Sequence, residues 1–63
     1  MIEVTKLNDK KITLNSDLIE TVEEVPDTSI TLTTGKKIMV KESRIEVRNL
    51  VLEYKRSIYR QDL

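Results

Sequence analysis

The sequence predicts an α+β protein: a small, curled antiparallel β-sheet of about five short strands, including two hairpins, followed by one C-terminal α-helix. Three observations predict it: short runs alternate apolar and polar residues, turn-forming residues separate the runs, and a helix-start signal at Ser43 opens a long stretch without proline or glycine. A chain of 63 residues fits one domain. We therefore expect a single domain over residues 1–63, with strands at about 2–7, 11–14, 18–25, 29–33 and 37–41 and a helix at about 44–60.

The first hairpin is predicted by two alternating runs. Ile2 and Val4 alternate with polar residues, and Ile12 and Leu14 do the same after a short polar segment. That segment, residues 8–10, contains no glycine, but asparagine and aspartate tolerate left-handed backbone better than most residues. A turn there is therefore expected, and Leu7, which breaks the alternation, marks the end of the first strand or a bulge.

Residues 18–25 are ambiguous. Apolar side chains fall on both faces of a strand drawn through them, and a helix beginning at Asp17 is an alternative. The β-branched residues in this run and the following Pro26 favour a strand. A strand that is apolar on both faces would be partly covered by the helix or by a neighbouring subunit.

The second hairpin has clearer turn chemistry. Pro26 and Asp27 favour a tight turn before it, and Gly35 supplies the residue that can take positive φ at its tip. We interpret all three as structural turn residues. The apolar residues expected on its buried face are Ile30, Leu32, Ile38 and Val40.

Ser43 and Glu46 have the spacing of a capping box, which predicts the start of the helix near Arg44. Helical periodicity then produces two apolar lines about 140° apart. The first line, expected to pack on the sheet, contains Val47, Leu50, Val51, Tyr54 and Ile58. The second line contains Ile45, Leu52, Tyr59 and Leu63.

The second line is the candidate oligomer or partner face, because a helix that is apolar on two sides needs a neighbour on both. The alternative is that these residues are singly exposed, as is common in monomers. Small domains are marginally stable and often use disulfides, metals or self-association. With no cysteine or histidine in the chain, self-association is the expected remedy, so a homo-oligomer is predicted.

The same composition argues against an enzyme. Without cysteine or histidine, the chain has no thiolate nucleophile and no imidazole base. Glu23 and Glu24 would point to opposite faces of a strand, and the only glycine, Gly35, leaves no glycine-rich phosphate loop. We therefore expect no catalytic residues, no cofactor and no metal site.

The expected location is cytoplasmic. Charged residues interrupt the N-terminal apolar pattern, unlike a signal peptide, and no apolar run approaches the roughly 20 residues that span a bilayer. Charge is uneven along the chain: residues 1–27 carry seven acids and three bases (−4), and residues 36–60 carry eight bases and three acids (+5). The basic half either complements the helix dipole or contacts an acidic partner, a nucleic acid or an anionic lipid.

Several segments together resemble the FlbD/SwrD family of small flagellar and swarming-motility proteins. They are the opening M-I-E-V-T-K-L-N, the D-L-I-E segment, the P-D-T turn, the I-T-L strand, the glycine hairpin and the V-K-E-S helix entry. Asp9 departs from the glycine expected after Leu-Asn. The resemblance implies an accessory role in motility, with support of motor power at the stator, contact with motor or membrane-apparatus proteins, and a position at the flagellar base. It implies no catalytic or ligand-binding residues.

Two other functions remain open at this point. A small β-rich protein with a basic second half resembles the CsrA class of RNA-binding regulators. Zero net charge and the lack of Phe and Trp weigh against nucleic acid as a partner, since both tyrosines lie on the predicted helix. A regulator that works by protein contact away from the motor is the other alternative.

Overall fold

A computed structural model describes the backbone of residues 1–61 and the side chains of residues 1–58. It confirms the α+β class, with five short antiparallel strands and a C-terminal helix. The strands are β1 (Ile2–Thr5), β2 (Lys11–Leu14), β3 (Ile19–Glu24), β4 (Thr28–Leu32) and β5 (Lys37–Val40). The helix, α1, is Arg44–Gln61, and one turn of 3₁₀ helix, Ser16–Leu18, precedes β3.

The strands form two sheets, where the sequence suggested one curled sheet. β1 pairs with β2, and β4 lies between β3 and β5. The sheets meet at the isolated antiparallel bridge between Lys6 and Val40, where the Lys41 N–H also donates to the Thr5 carbonyl at 2.8 Å. The two sheets therefore touch at one corner and diverge beyond it.

The first strand ends at Thr5 and does not reach Leu7. The Lys6 N–H donates to the Lys10 carbonyl at 2.8 Å, and the Asp9 N–H donates to the Lys6 carbonyl at 2.9 Å, so Lys6 already belongs to the turn. Asp9 has φ of 70°, the left-handed backbone that its side chain tolerates. The turn thus forms without the glycine that the family resemblance led us to expect.

A register shift explains the ambiguous segment. Ile19 pairs with Leu32 and Thr21 pairs with Thr31, so Glu20 is an extra residue on β3, as in a β-bulge. The bulge brings Ile19 and Val22 onto the same face, although three positions separate them, and both are half-buried. The strand is shorter than predicted at both ends, because residue 18 belongs to the 3₁₀ turn and residue 25 follows the last paired residue.

The second hairpin has the predicted glycine at its tip, and its pairing places the predicted apolar residues on one face. Ile30 pairs with Ile38, and at the tip Gly35 has φ of 92° while its N–H donates to the Leu32 carbonyl at 2.8 Å. Glu24 pairs with Thr28, so Pro26 and Asp27 lie in the short connection between β3 and β4.

The core lies between the sheets and one face of the helix. Its buried apolar side chains are Ile2, Val4, Leu14, Ile30, Val40 and Val47. Val47 comes from the predicted inner line of α1, and Leu50, Val51 and Tyr54 pack partly buried against the same core. Ile58, the last member of that line, is 37% exposed. Burial of the inner line therefore weakens toward the C-terminal end of the helix.

Candidate functional site

Three side chains anchor the beginning of α1. The Ser43 N–H donates to Glu46 Oε1 at 3.0 Å, and the Glu46 N–H donates to Ser43 Oγ at 3.1 Å, which is the reciprocal geometry of a capping box. Glu24 Oε1, on β3, accepts from the Arg44 N–H at 2.8 Å. A carboxylate at this position is also favoured by the helix dipole. The first turn of α1 is therefore held by hydrogen bonds within the capping box and by one hydrogen bond to the sheet.

The outer line of the helix is exposed where its side chains are described. Ile45 is 48% exposed and Leu52 is 40% exposed. They lie on the same side of α1, two turns apart, while Val47 on another side is fully buried. The side chain of Tyr59 and the whole of Leu63 lie outside the described residues. The structure thus places two of the four candidate partner-face residues together on a free surface.

Positive charge borders this line. Arg48, Lys55 and Arg56 are exposed and flank it on the helical surface. Arg56 Nη1 lies 3.5 Å from Glu53 Oε1, an exposed pair one turn apart, and such pairs contribute little to stability. We define the outer helix face as Ile45 and Leu52 with these flanking cations. An apolar centre with a charged rim is suited to binding another protein.

Glu42, between β5 and α1, ties the helix entry to the first sheet. Its Oε1 accepts a hydrogen bond from the Thr5 N–H at 2.8 Å. Partial burial acts to raise the pKa of Glu42, but the hydrogen bonds from Thr5, the bond from its own backbone N–H and the charge of Lys11 outweigh burial. The net effect is a pKa below the ordinary value for glutamate.

Glu42→Gln is expected to destabilise the protein at neutral pH and to have less effect in acid. A carboxylate with a lowered folded-state pKa contributes stability above its unfolded-state pKa, and that contribution is lost as the pH falls through the folded-state pKa. We expect a loss of about 0.5–1.5 kcal/mol at neutral pH, measured by urea unfolding at about pH 7 and about pH 3. Glu53→Gln, which removes a carboxylate that makes no contact with Thr5, is the matched control. A constant difference between Glu42→Gln and the parent protein at both pH values would contradict the assignment.

The other polar surface of note is a group of glutamates near the helix. A shallow depression of about 380 Å³ is bordered by four glutamates: Glu3, Glu42, Glu46 and Glu53. Within residues 1–58, no set of three or more carboxylates is grouped closely enough to hold a metal ion. In the part of the chain that the structure covers, α1 is too polar to cross a membrane.

Sequence reasoning identified the capping residues and the exposure of Ile45 and Leu52 but missed Glu24 and Glu42. Each makes its contact across the fold, with partners 20 and 37 residues away in the sequence. Glu24 is one of two adjacent glutamates, and no local pattern distinguishes it from Glu23. These two tethers therefore follow from tertiary structure alone.

The structure defines a small α+β protein with a helix anchored at its N-terminus and apolar on two sides. The family model described as "FlbD: Flagellar and Swarming motility proteins" matches residues 1–59. The chain belongs to the FlbD family of flagellar and swarming motility proteins. Comparisons with curated proteins and with solved structures found no match.

Proposed function

We propose that this protein is a non-catalytic accessory protein of flagellar and swarming motility that acts by binding other proteins. Membership of the FlbD family supports the link to motility. The observation that carries the binding role is the outer helix face, where Ile45 and Leu52 are exposed on a helix whose inner residues already complete the core. The lack of cysteine and histidine supports a role without catalysis.

The contact that we propose has two parts. The protein self-associates through the outer helix face, and the assembly supports the power of the flagellar motor at the stator from the cytoplasmic side of the flagellar base. Self-association is supported by the small core, which six buried apolar residues dominate. The anchored start of α1 supports a fixed presentation of this face, because a preorganised surface loses less entropy on binding.

Deleting the gene in a flagellated host and restoring it in trans tests this function. We expect the deletion to leave filaments in place while swarming and motor torque fall, and we expect the intact gene to restore both. Torque is measured on tethered cells, and filaments are counted by electron microscopy. Loss of filaments would indicate a role in assembly instead, and normal torque with altered flagellar gene expression would indicate a regulator away from the motor.

RNA binding is the alternative from another class of function, and a mobility-shift assay distinguishes it. In the described part of the chain, Tyr54 is the only aromatic side chain, and it is half-buried against the core, so no strand offers a stacking platform. We expect no RNA binding at about 50 mM salt. Tight binding that weakens steeply with added salt would overturn the protein-contact proposal.

A further inference from the structure

A groove opens where the two sheets diverge. Past the bridge between Lys6 and Val40, the first hairpin turns away through Asn8 and Asp9, while β5 continues toward its hairpin. Among the described residues, one edge of β5 pairs with β4. The other edge has only the bridge to Lys6, just after the end of β1. The resulting groove has a volume of about 480 Å³. It lies on the sheets, away from the outer helix face.

The groove has an apolar floor and a basic rim. Leu7 and Met39 are 46% and 39% exposed, and two half-buried isoleucines continue the floor between them. Lys6, Lys36 and Lys37 also line the groove, and no described residue that lines it is acidic. Asp9, in the adjoining turn, is not one of the lining residues and forms an ion pair with Lys41. The groove therefore has an uncompensated positive charge above exposed apolar surface.

We propose that this groove binds an extended acidic segment of a partner protein. The carboxylates of the segment would lie against Lys6, Lys36 and Lys37, and an apolar side chain between them would lie on Leu7 and Met39. An extended peptide alternates its side chains and can add to the free side of a strand, here β5. The inference goes beyond the proposed function, because it concerns a different surface and a defined partner chemistry.

The shape and composition of the groove favour a peptide over the other anionic partners. A bilayer surface is broad, whereas this site is an open groove of the size that holds a few side chains. Nucleic acid binding would call for stacking residues and a basic protein, but none of the described residues that line the groove is aromatic and the net charge is zero.

The test uses the full-length protein, labelled with ¹⁵N, and a short synthetic peptide that alternates glutamate with valine. We expect the peptide to shift the amide resonances of Lys6, Leu7 and residues 37–39, with affinity that falls as salt rises. A peptide in which lysine replaces each glutamate should not bind. Lys36→Glu with Lys37→Glu should weaken binding at least about tenfold. Arg44→Glu, an exposed change outside both the groove and the outer helix face that carries half of that change of charge, should leave binding unchanged.

Circular dichroism of each variant shows whether the fold survives, and Leu7→Ser adds a change that alters no charge and should also weaken binding. Equal binding by the groove variants and the parent protein would overturn the proposal, as would shifts confined to α1. Binding to vesicles of phosphatidylserine and phosphatidylcholine without binding to the peptide would assign the groove to a membrane surface. Groove shifts that grow with protein concentration in the absence of peptide would assign the groove to β3 of a second copy, which carries three glutamates. None of these measurements depends on motility. If the groove does not bind the peptide, the proposed function in motility is therefore unaffected.

Discussion

Ile30→Ala is expected to lower the free energy of unfolding by about 2–5 kcal/mol, because Ile30 is the largest fully buried side chain among the described residues. Ile30 lies on the central strand of the second sheet, is 0% exposed, and pairs with Val22 on one side and Ile38 on the other. Alanine would leave a cavity between the sheet and the rest of the core, which includes Val47 of the helix. Because a small domain has little stability to spare, much of the variant should be unfolded near physiological temperature.

Urea unfolding followed by circular dichroism measures this loss. Ile30→Val removes one methyl group at the same site and should cost about 0.5–1.5 kcal/mol. Ile58→Ala provides the exposed comparison on the helix, because Ile58 keeps 37% of its surface in solvent. A loss for Ile30→Ala no larger than that for Ile58→Ala would mean that the packing between the sheets and the helix contributes little to stability.

The core could be predicted from the sequence where periodicity is unbroken. Alternation from Ile2 to Val4 and around Ile30, together with the helical spacing of Val47, identifies which side chains are buried, and the structure buries these residues. The prediction was weakest over residues 18–25. There an inserted Glu20 changes the apolar spacing from two to three, and a bulge cannot be distinguished from a helix by a pattern so short.

The division into two sheets could not be predicted, because it depends on where the first turn begins. The Lys6 N–H and carbonyl both form hydrogen bonds within that turn, and one bridge, between Lys6 and Val40, forms before the chains separate. Local turn signals indicate that a turn exists near Asn8 and Asp9 but do not say which backbone groups it takes from the neighbouring strand. The groove results from this separation, so it could not be predicted from the sequence.

Some parts of the candidate site on the helix can be predicted from the sequence, and others cannot. The capping box is a local motif, and its two hydrogen bonds have the expected partners in Ser43 and Glu46. The exposure of Leu52 also follows from helical periodicity once the inner line is known. What occupies the outer helix face is a property of a second molecule. Neither the sequence nor the fold of one chain specifies it, and a substitution on that face is the direct test.

Leu52→Asp is expected to weaken self-association at least about 30-fold while leaving the fold intact. Leu52 is 40% exposed and lies at the centre of the described outer helix face. A charge placed in an apolar contact costs about 2 kcal/mol or more when the contact is central, and 2 kcal/mol corresponds to about 30-fold in affinity. In the isolated chain, the same change should cost only about 0.5–1 kcal/mol, chiefly because aspartate has a lower helix propensity than leucine.

Analytical ultracentrifugation at micromolar concentration measures the association, and urea unfolding measures the fold. Ser57→Asp is the matched control, since it adds the same charge to an exposed position about 140° around the helix from Leu52. Equal losses of association and stability would place Leu52 in the subunit core. A parent protein that stays monomeric and stable at these concentrations would refute self-association.

The salt dependence of association then tests which surfaces meet. If two copies pack helix against helix in an isologous contact, the same patch of each copy meets. The basic border of one copy (Arg48, Lys55 and Arg56) then approaches the basic border of the other. Added salt screens this repulsion, so association through the outer helix face should strengthen as salt rises. Association that weakens with salt would instead mean that the basic border meets acidic residues. The outer helix face would then bind a different surface, on another copy or on a partner, and Leu52→Asp would weaken that contact through the same apolar centre.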